Sequence, residues 1–171
     1  GSNKGYIGAN GFETREYAPD ERGEPIVFEG TLDSGGTATS AEYAGDVLVV
    51  NFWYANCGPC IVEAPFLEGV HEKTDAAFLG VNIYDQASTA QSFARDHGVT
   101  YPSMLAVNDA PLKLAFNDYT SLSAVPTTLV LDAEGRLAAR IIGSVANEDS
   151  RSILETIVRD VAAETSAEGS S

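Results

Sequence analysis

Cys57 and Cys60 are the only cysteines in a chain of 171 residues, and they stand three positions apart. Two thiols at that spacing can close into a disulfide and be reopened by an external thiolate. A bridge over so short a loop removes little entropy from the unfolded chain, which argues against a purely structural staple. The pair also falls short of a structural zinc site, which takes four ligands; His71 and His97 are the only histidines. Reversible redox chemistry is the economical reading. It calls for no metal and no cofactor beyond the Cys57–Cys60 disulfide itself.

The neighbouring sequence is built to position such a pair. Residues 47–54, VLVVNFWY, form a β-branched and aromatic run suited to a central strand buried on both faces. Ala55-Asn56-Cys57-Gly58-Pro59-Cys60 follows, and a helix to about Thr74 comes next, which puts Cys57 at a helix N-terminus. Free backbone N–H groups and the helix dipole favour an anion there, so the Cys57 thiol is expected to be unusually acidic. Cys57 is expected to be the more exposed sulfur and Cys60 to lie one turn deeper. Gly58 permits the bend, and Pro59 suits a helix start. Cys57 thiolate attacks a client disulfide, and Cys60 then displaces the client; the reverse sequence oxidises a client dithiol.

Within that helix, Ile61, Ala64, Phe66, Leu67 and Val70 read as the apolar side, with Glu63, Glu68, Glu72 and Lys73 mostly elsewhere. Pro65 removes one helix hydrogen bond and should kink it. Upstream, residues 26–30 and 36–40 flank the turn Asp33-Ser34-Gly35, a short hairpin. Downstream come a strand over 76–84, a helix over 88–96 capped by Ser88, an irregular stretch over 101–107 and a short helix over 111–116. A strand over 125–132 then turns through Ala133-Glu134-Gly135 into a strand over 136–143. A last amphipathic helix is capped by Asn147 or Asp149. This order predicts an α/β fold with a central mixed sheet flanked by helices, an N-terminal β-hairpin and an inserted helix between core strands. One domain spans 23–163. Residues 1–22 read as a flexible linker, and 164–171 as a disordered tail.

The formal net charge of −15, from 25 acidic and 10 basic residues, argues against nucleic acid as a partner. The only Met is Met104, and Gly1-Ser2 reads as a remnant of cloning. Any N-terminal signal or membrane anchor of the natural protein would therefore be missing from this sequence. A monomer is the default expectation.

The segment Asn51–Pro65 resembles the active-site stretch of the thioredoxin superfamily, and more narrowly the TlpA/ResA branch of extracytoplasmic thiol–disulfide oxidoreductases. Trp53 stands four residues before Cys57, Pro65 five after Cys60, and Val125-Pro126-Thr127 matches that family's cis-proline loop. Residues 88–116 match the branch's inserted helix and connector. The resemblance implies a thioredoxin-like fold, a cis Pro126 beside the disulfide and a role for the Val125 backbone in pairing with an extended client. On the residues alone, a trans Pro at a strand edge is the favoured reading. Glu63 matches an acidic residue of ResA-like proteins and would manage protons during exchange; an ordinary solvated helix Glu is the alternative. Two positions depart from the family. Asn51 replaces the buried Asp of thioredoxins proper, and Asn56 replaces a Trp common before the first Cys.

By the same resemblance the clients are protein thiols, with apocytochrome c in cytochrome c maturation as one of them. Electrons would come from a membrane thiol carrier, and the location would be outside the cytoplasm, tethered to the membrane. A general dithiol oxidase is the alternative direction. A peroxidase is disfavoured because residues 54–56 offer no hydroxyl before Cys57 apart from the Tyr54 phenol. A copper carrier is disfavoured by the Cys spacing and by the lack of a placed His.

Overall fold

A computed structural model describes residues 4–8 and 11–169. Among these residues, nine strands and four α-helices follow in order: β1 Lys4–Ile7, β2 Glu13–Glu16, β3 Glu29–Thr31, β4 Thr37–Thr39, β5 Leu48–Trp53, α1 Gly58–Lys73, β6 Ala77–Asn82, α2 Ala87–His97, β7 Ser103–Leu105, α3 Ala110–Asn117, β8 Thr127–Leu131, β9 Leu137–Ile142 and α4 Glu148–Gly169. Seven strands make one sheet in the order β1-β2-β9-β8-β5-β6-β7, and β3 and β4 form a separate hairpin. Strands β5, β6 and β7 are parallel; β8, β9, β2 and β1 add on antiparallel. This is the mixed α/β sheet expected, with the connector over 101–107 resolved into β7.

Strand β5 runs down the middle and explains the layering. Its side chains alternate between faces, as strand geometry requires. Leu48, Val50 and Phe52 enter a core with Leu79, Met104, Phe116 and Leu129. Val49 enters the opposite core with Leu67, Val70, Phe78, Ile141 and Leu154, under α1 and α4. Asn51 and Trp53 share the parity of Val49, so they point toward α1 and α2 at the strand's C-terminal end. Strand order reverses around this strand, and ligand sites in open α/β sheets lie at such carboxyl ends.

Both expected ends of the domain are corrected. Residues 4–7 and 13–16, read as a flexible linker, are strands: Glu13–Glu16 pairs with Ala139–Ile142, and β1 pairs with β2. They show no hydrophobic periodicity because β1 is the sheet's edge and β2 next to it is held by ladder bonds on both sides, where backbone pairing contributes more than buried side chains. Arg22, also in the expected linker, is buried against Asp132 at 3.0 Å, and its Nη1 and Nη2 donate to Glu164 at 2.6 and 2.8 Å. Glu164 belongs to α4, which continues to Gly169, so 164–169 is helix and not tail. Residues 170 and 171 lie outside the described residues, as do 1–3.

Two local expectations also change. Helix α2 begins at Ala87 after Gln86, whose side chain makes no capping bond, so Ser88 lies inside the first turn. At α4, Asn147 is the residue that caps: its side-chain carbonyl accepts the Ser150 N–H at 2.8 Å. No helix among the described residues is long and apolar enough to cross a membrane.

Candidate active site

The chain leaves β5 at Trp53, turns through Tyr54–Asn56, and enters α1 with Cys57 as its N-cap residue and Pro59 in the first turn. Cys57 has extended backbone angles (φ −117°, ψ 106°), which aim its side chain back over the helix start. There its Sγ accepts the Cys60 backbone N–H at 3.2 Å. This bond takes one of the orphan donors of the first turn and offers a thiolate the stabilisation that lowers its pKa. The two sulfurs are joined in a disulfide, with Cα atoms 5.2 Å apart. Cys57 is 3 % exposed and Cys60 2 %, which corrects the expectation of one open and one hidden sulfur. Apolar neighbours account for this: Trp53, Ala64, Ala90 and Phe93 share the cluster with both cysteines, and Val125 packs against it. The asymmetry between the cysteines is chemical. Cys57 holds the helix-start hydrogen bond, while Cys60 faces inward.

One helical turn after Cys60, α1 carries a buried carboxylate. Glu63 is 1 % exposed, so the reading as a solvated helix residue does not hold. Its Oε1 accepts the Asn51 amide at 2.9 Å, and its Oε2 accepts the Val145 N–H at 3.0 Å. Asn51 also donates to Thr128 Oγ1 at 3.1 Å. Burial pushes the Glu63 carboxyl up to about 7, and the two hydrogen bonds pull only partly the other way. Nearby Tyr101 is fully buried and its phenol is pushed well up by burial and by Glu63 and Glu68, so it stays protonated. Sequence spacing placed Ala64, Leu67 and Val70 correctly on the buried side of α1 but misplaced Ile61, Glu63 and Glu68. Glu63 and Glu68 are buried and hydrogen-bonded, Glu68 to the Thr100 N–H and hydroxyl, whereas Ile61 and Val62 face solvent.

The walls of the site are fixed by hydrogen bonds and ring packing. The Trp53 indole N–H donates to Ser103 Oγ at 2.9 Å, and its ring packs on Phe93 with centroids 4.5 Å apart. Gly80 sits under that bond, where any Cβ would strike Ser103 Oγ and the indole nitrogen. Asp85 holds the turn before Cys57 by accepting the Ala55 N–H at 2.8 Å and the Asn82 amide at 3.0 Å. The Val125–Pro126 peptide is cis. After β9, Ser144 donates to the Pro59 carbonyl at 2.8 Å, so the loop that holds Glu63 also holds the first turn of α1. Tyr54 and Tyr84 pack edge to face at 5.0 Å, and with exposed Ile61 and Val62 they supply apolar surface on the segments next to the disulfide.

Of the residues singled out from the sequence, Cys57, Cys60 and Trp53 share one cluster with Val125 packed on it, while Asn51 and Glu63 join directly. Gly58 and Pro59 form the exposed rim between the sulfurs. Val145, Thr128, Ser103, Phe93 and Asp85 were missed. They come from five other elements or loops, and only the fold brings them in. His71 packs on Phe78 and Tyr101, and His97 packs on Phe93; neither reaches the sulfurs as a ligand. No cluster that could hold a metal ion exists among the described residues.

Comparison with known proteins agrees with this geometry. A sequence model of the Redoxin family matches residues 16–158. The thiol:disulfide interchange protein HelX of Rhodobacter capsulatus is 30% identical over 152 residues, 84% of either chain. The thiol-disulfide oxidoreductase ResA of Geobacillus thermodenitrificans is 29% identical over 119 residues, covering 68% of this chain and 66% of that one, so this chain spans about two thirds of that relative's length. Among solved structures, a secreted thiol-disulfide isomerase from Corynebacterium glutamicum superposes with a TM-score of 0.72 at 25% identity, covering 90% of this chain and 96% of that one.

Proposed function

The chain belongs to the Redoxin family, and from that premise we propose that it is a thiol–disulfide oxidoreductase acting on protein clients outside the cytoplasm. The observation that carries the reading is the placement of Cys57 Sγ on the Cys60 N–H at the start of α1. Reduced Cys57 attacks a client disulfide as a thiolate and forms a mixed disulfide. Cys60, one turn on, loses its proton and attacks Cys57, which releases the client as a thiol and restores the bond seen here. The electrons travel on the cysteine pair alone.

Glu63 serves the proton side of this cycle. A carboxyl titrating at about 7 can be loaded or empty at neutral pH, the condition for useful proton exchange. Asn51 cannot take that role, since its amide donates to Glu63 and Thr128. Clients would dock on Tyr54, Tyr84, Ile61 and Val62, which supply apolar surface where a Trp before Cys57 is lacking. The ResA-like resemblance makes the haem-binding cysteines of apocytochrome c the first clients to test, with reducing power from a membrane thiol carrier. The secreted relative supports the extracytoplasmic location.

Trapping tests the proposal. Cys60→Ser leaves Cys57 able to capture a client but unable to release it. The variant should accumulate covalent adducts that dithiothreitol dissolves, with apocytochrome c among them. Absence of any adduct, together with failure of the unsubstituted protein to reduce insulin disulfides, would overturn the assignment.

A further inference from the structure

Resolution of a mixed disulfide moves a proton from Cys60 to solvent, yet Cys60 and Glu63 are both buried. A cavity of about 20 Å³ is lined by Cys60, Asn51, Trp53, Ser103 and Asp33, among others. That volume accommodates a water molecule, and the lining supplies the two or more polar partners a buried water needs. Asp33 is the carboxylate on this wall. It sits half-buried on the turn between β3 and β4, far from Cys60 in sequence. Two bonds fix it to β7: its Oδ1 accepts the Ser103 N–H at 3.3 Å, and its own N–H donates to the Ser103 carbonyl at 2.8 Å. The Ser103 hydroxyl accepts the Trp53 indole, so its own proton is available to a water in the cavity.

We propose that Asp33 is the outward proton port of the cysteine pair. The Cys60 S–H bond breaks, its proton passes to a cavity water, and that water hands a proton to the Asp33 carboxylate, which exchanges it with bulk solvent. The Cys60 electron pair forms the bond to Cys57 Sγ, and the client sulfur leaves with the electrons of the mixed disulfide. Glu63 does not replace this route to solvent: both its oxygens are engaged inside the protein, by Asn51 and Val145. The other ionisable groups around the cavity are Tyr101 in its wall, Glu68 bound to Thr100, His71 packed on Tyr101 and His97 packed on Phe93.

This inference rests on the exchange reaction proposed above and deepens it. Its test is Asp33→Asn, which keeps an oxygen for the Ser103 N–H but cannot carry the proton. Reduced protein is mixed with glutathione disulfide, quenched in acid at intervals and weighed by mass spectrometry. Glutathione release from the Cys57 adduct should slow at least about tenfold near neutral pH, as expected for loss of a proton-transfer group. The reduction potential and the Tm should not move, because a relay alters the barrier and leaves both end states alone. Asp33→Glu should recover most of the rate. Equal release rates in Asp33→Asn and the parent, or a slowing matched by a shift in potential, would overturn the port. If the parent forms no glutathione adduct and reduces no insulin, the exchange reaction itself fails; adduct formation and insulin reduction by the parent, with no effect of Asp33→Asn, remove the port alone.

Discussion

Replacing Glu63 by Gln should make the protein's stability respond to pH in a way that isolates one buried carboxyl. The unfolded chain titrates this group at 4.5 and the folded protein at about 7, because burial disfavours the charged form. Between these values the folded state holds a proton that the unfolded state has released. The favourable contribution is therefore complete below 4.5 and is lost as pH rises to about 7. Linkage gives a decline of about 1.4 kcal/mol per pH unit across that window, or about 3 kcal/mol in all, flattening above 7. Gln cannot ionise, so the variant lacks this decline. It also turns an amide toward the Val145 N–H or the Asn51 amide, a constant penalty of about 1–3 kcal/mol from an unmade hydrogen bond. Urea unfolding of both oxidised proteins at pH 4.5, 5.5, 6.5, 7.5 and 8.5 separates the two effects. Other titrating groups cancel in the difference, provided they lie outside the Glu63 network. The stability of Glu63→Gln relative to the parent should climb by about 3 kcal/mol from the lowest pH to the highest. A flat difference would refute the reasoning, since it would mean that Glu63 ionises as freely in the folded protein as in the unfolded one.

Further outcomes follow from other contacts. The Cys57 thiol of the reduced protein, followed by thiolate absorbance, should titrate below the roughly 8.5 of free cysteine, while Cys60 should not. Gly80→Ala forces a methyl between the Trp53 indole and Ser103, so unfolding should show a loss of about 1–3 kcal/mol with altered tryptophan fluorescence. Arg22→Ala strips the buried side of Asp132 and frees Glu164; Arg136 still faces Asp132 at 2.9 Å, so the loss should fall below the about 3–5 kcal/mol of a fully orphaned buried charge. Hydrogen exchange should show the last turns of α4 opening more readily in that variant.

Local information carried far in this chain because the reactive unit is itself local. A buried β-branched strand, a six-residue turn and a helix start lie in one unbroken stretch, so the placement of Cys57 at the helix start and the reach of Cys60 follow from spacing alone. The hairpin of β8 and β9 and the Asn147 cap were legible for similar reasons, short-range turn and cap chemistry, whereas the cis Pro126 came only from the family resemblance, since the residues alone favour a trans Pro at a strand edge. Periodicity failed where a side chain's environment came from distant segments. Glu63 and Glu68 look like solvated helix residues until the β9–α4 loop and Thr100 arrive to bond them, and Ile61 looks like core until nothing arrives to cover it. The terminal strand β1 and its neighbour β2 lack core periodicity because their ladder bonds, which any residue can make, hold them in place.

The residue types and their order thus determined that this chain could make and break a disulfide at a helix N-terminus, since dipole, caps and strand burial act over a few residues. Only the tertiary structure decided what surrounds that disulfide: the carboxyl held near neutrality by burial, the indole pinned over Gly80, and the cavity shared by Cys60 and Asp33. Those properties depend on desolvation and on contacts between segments tens of residues apart, and such distances exist only after the sheet has assembled.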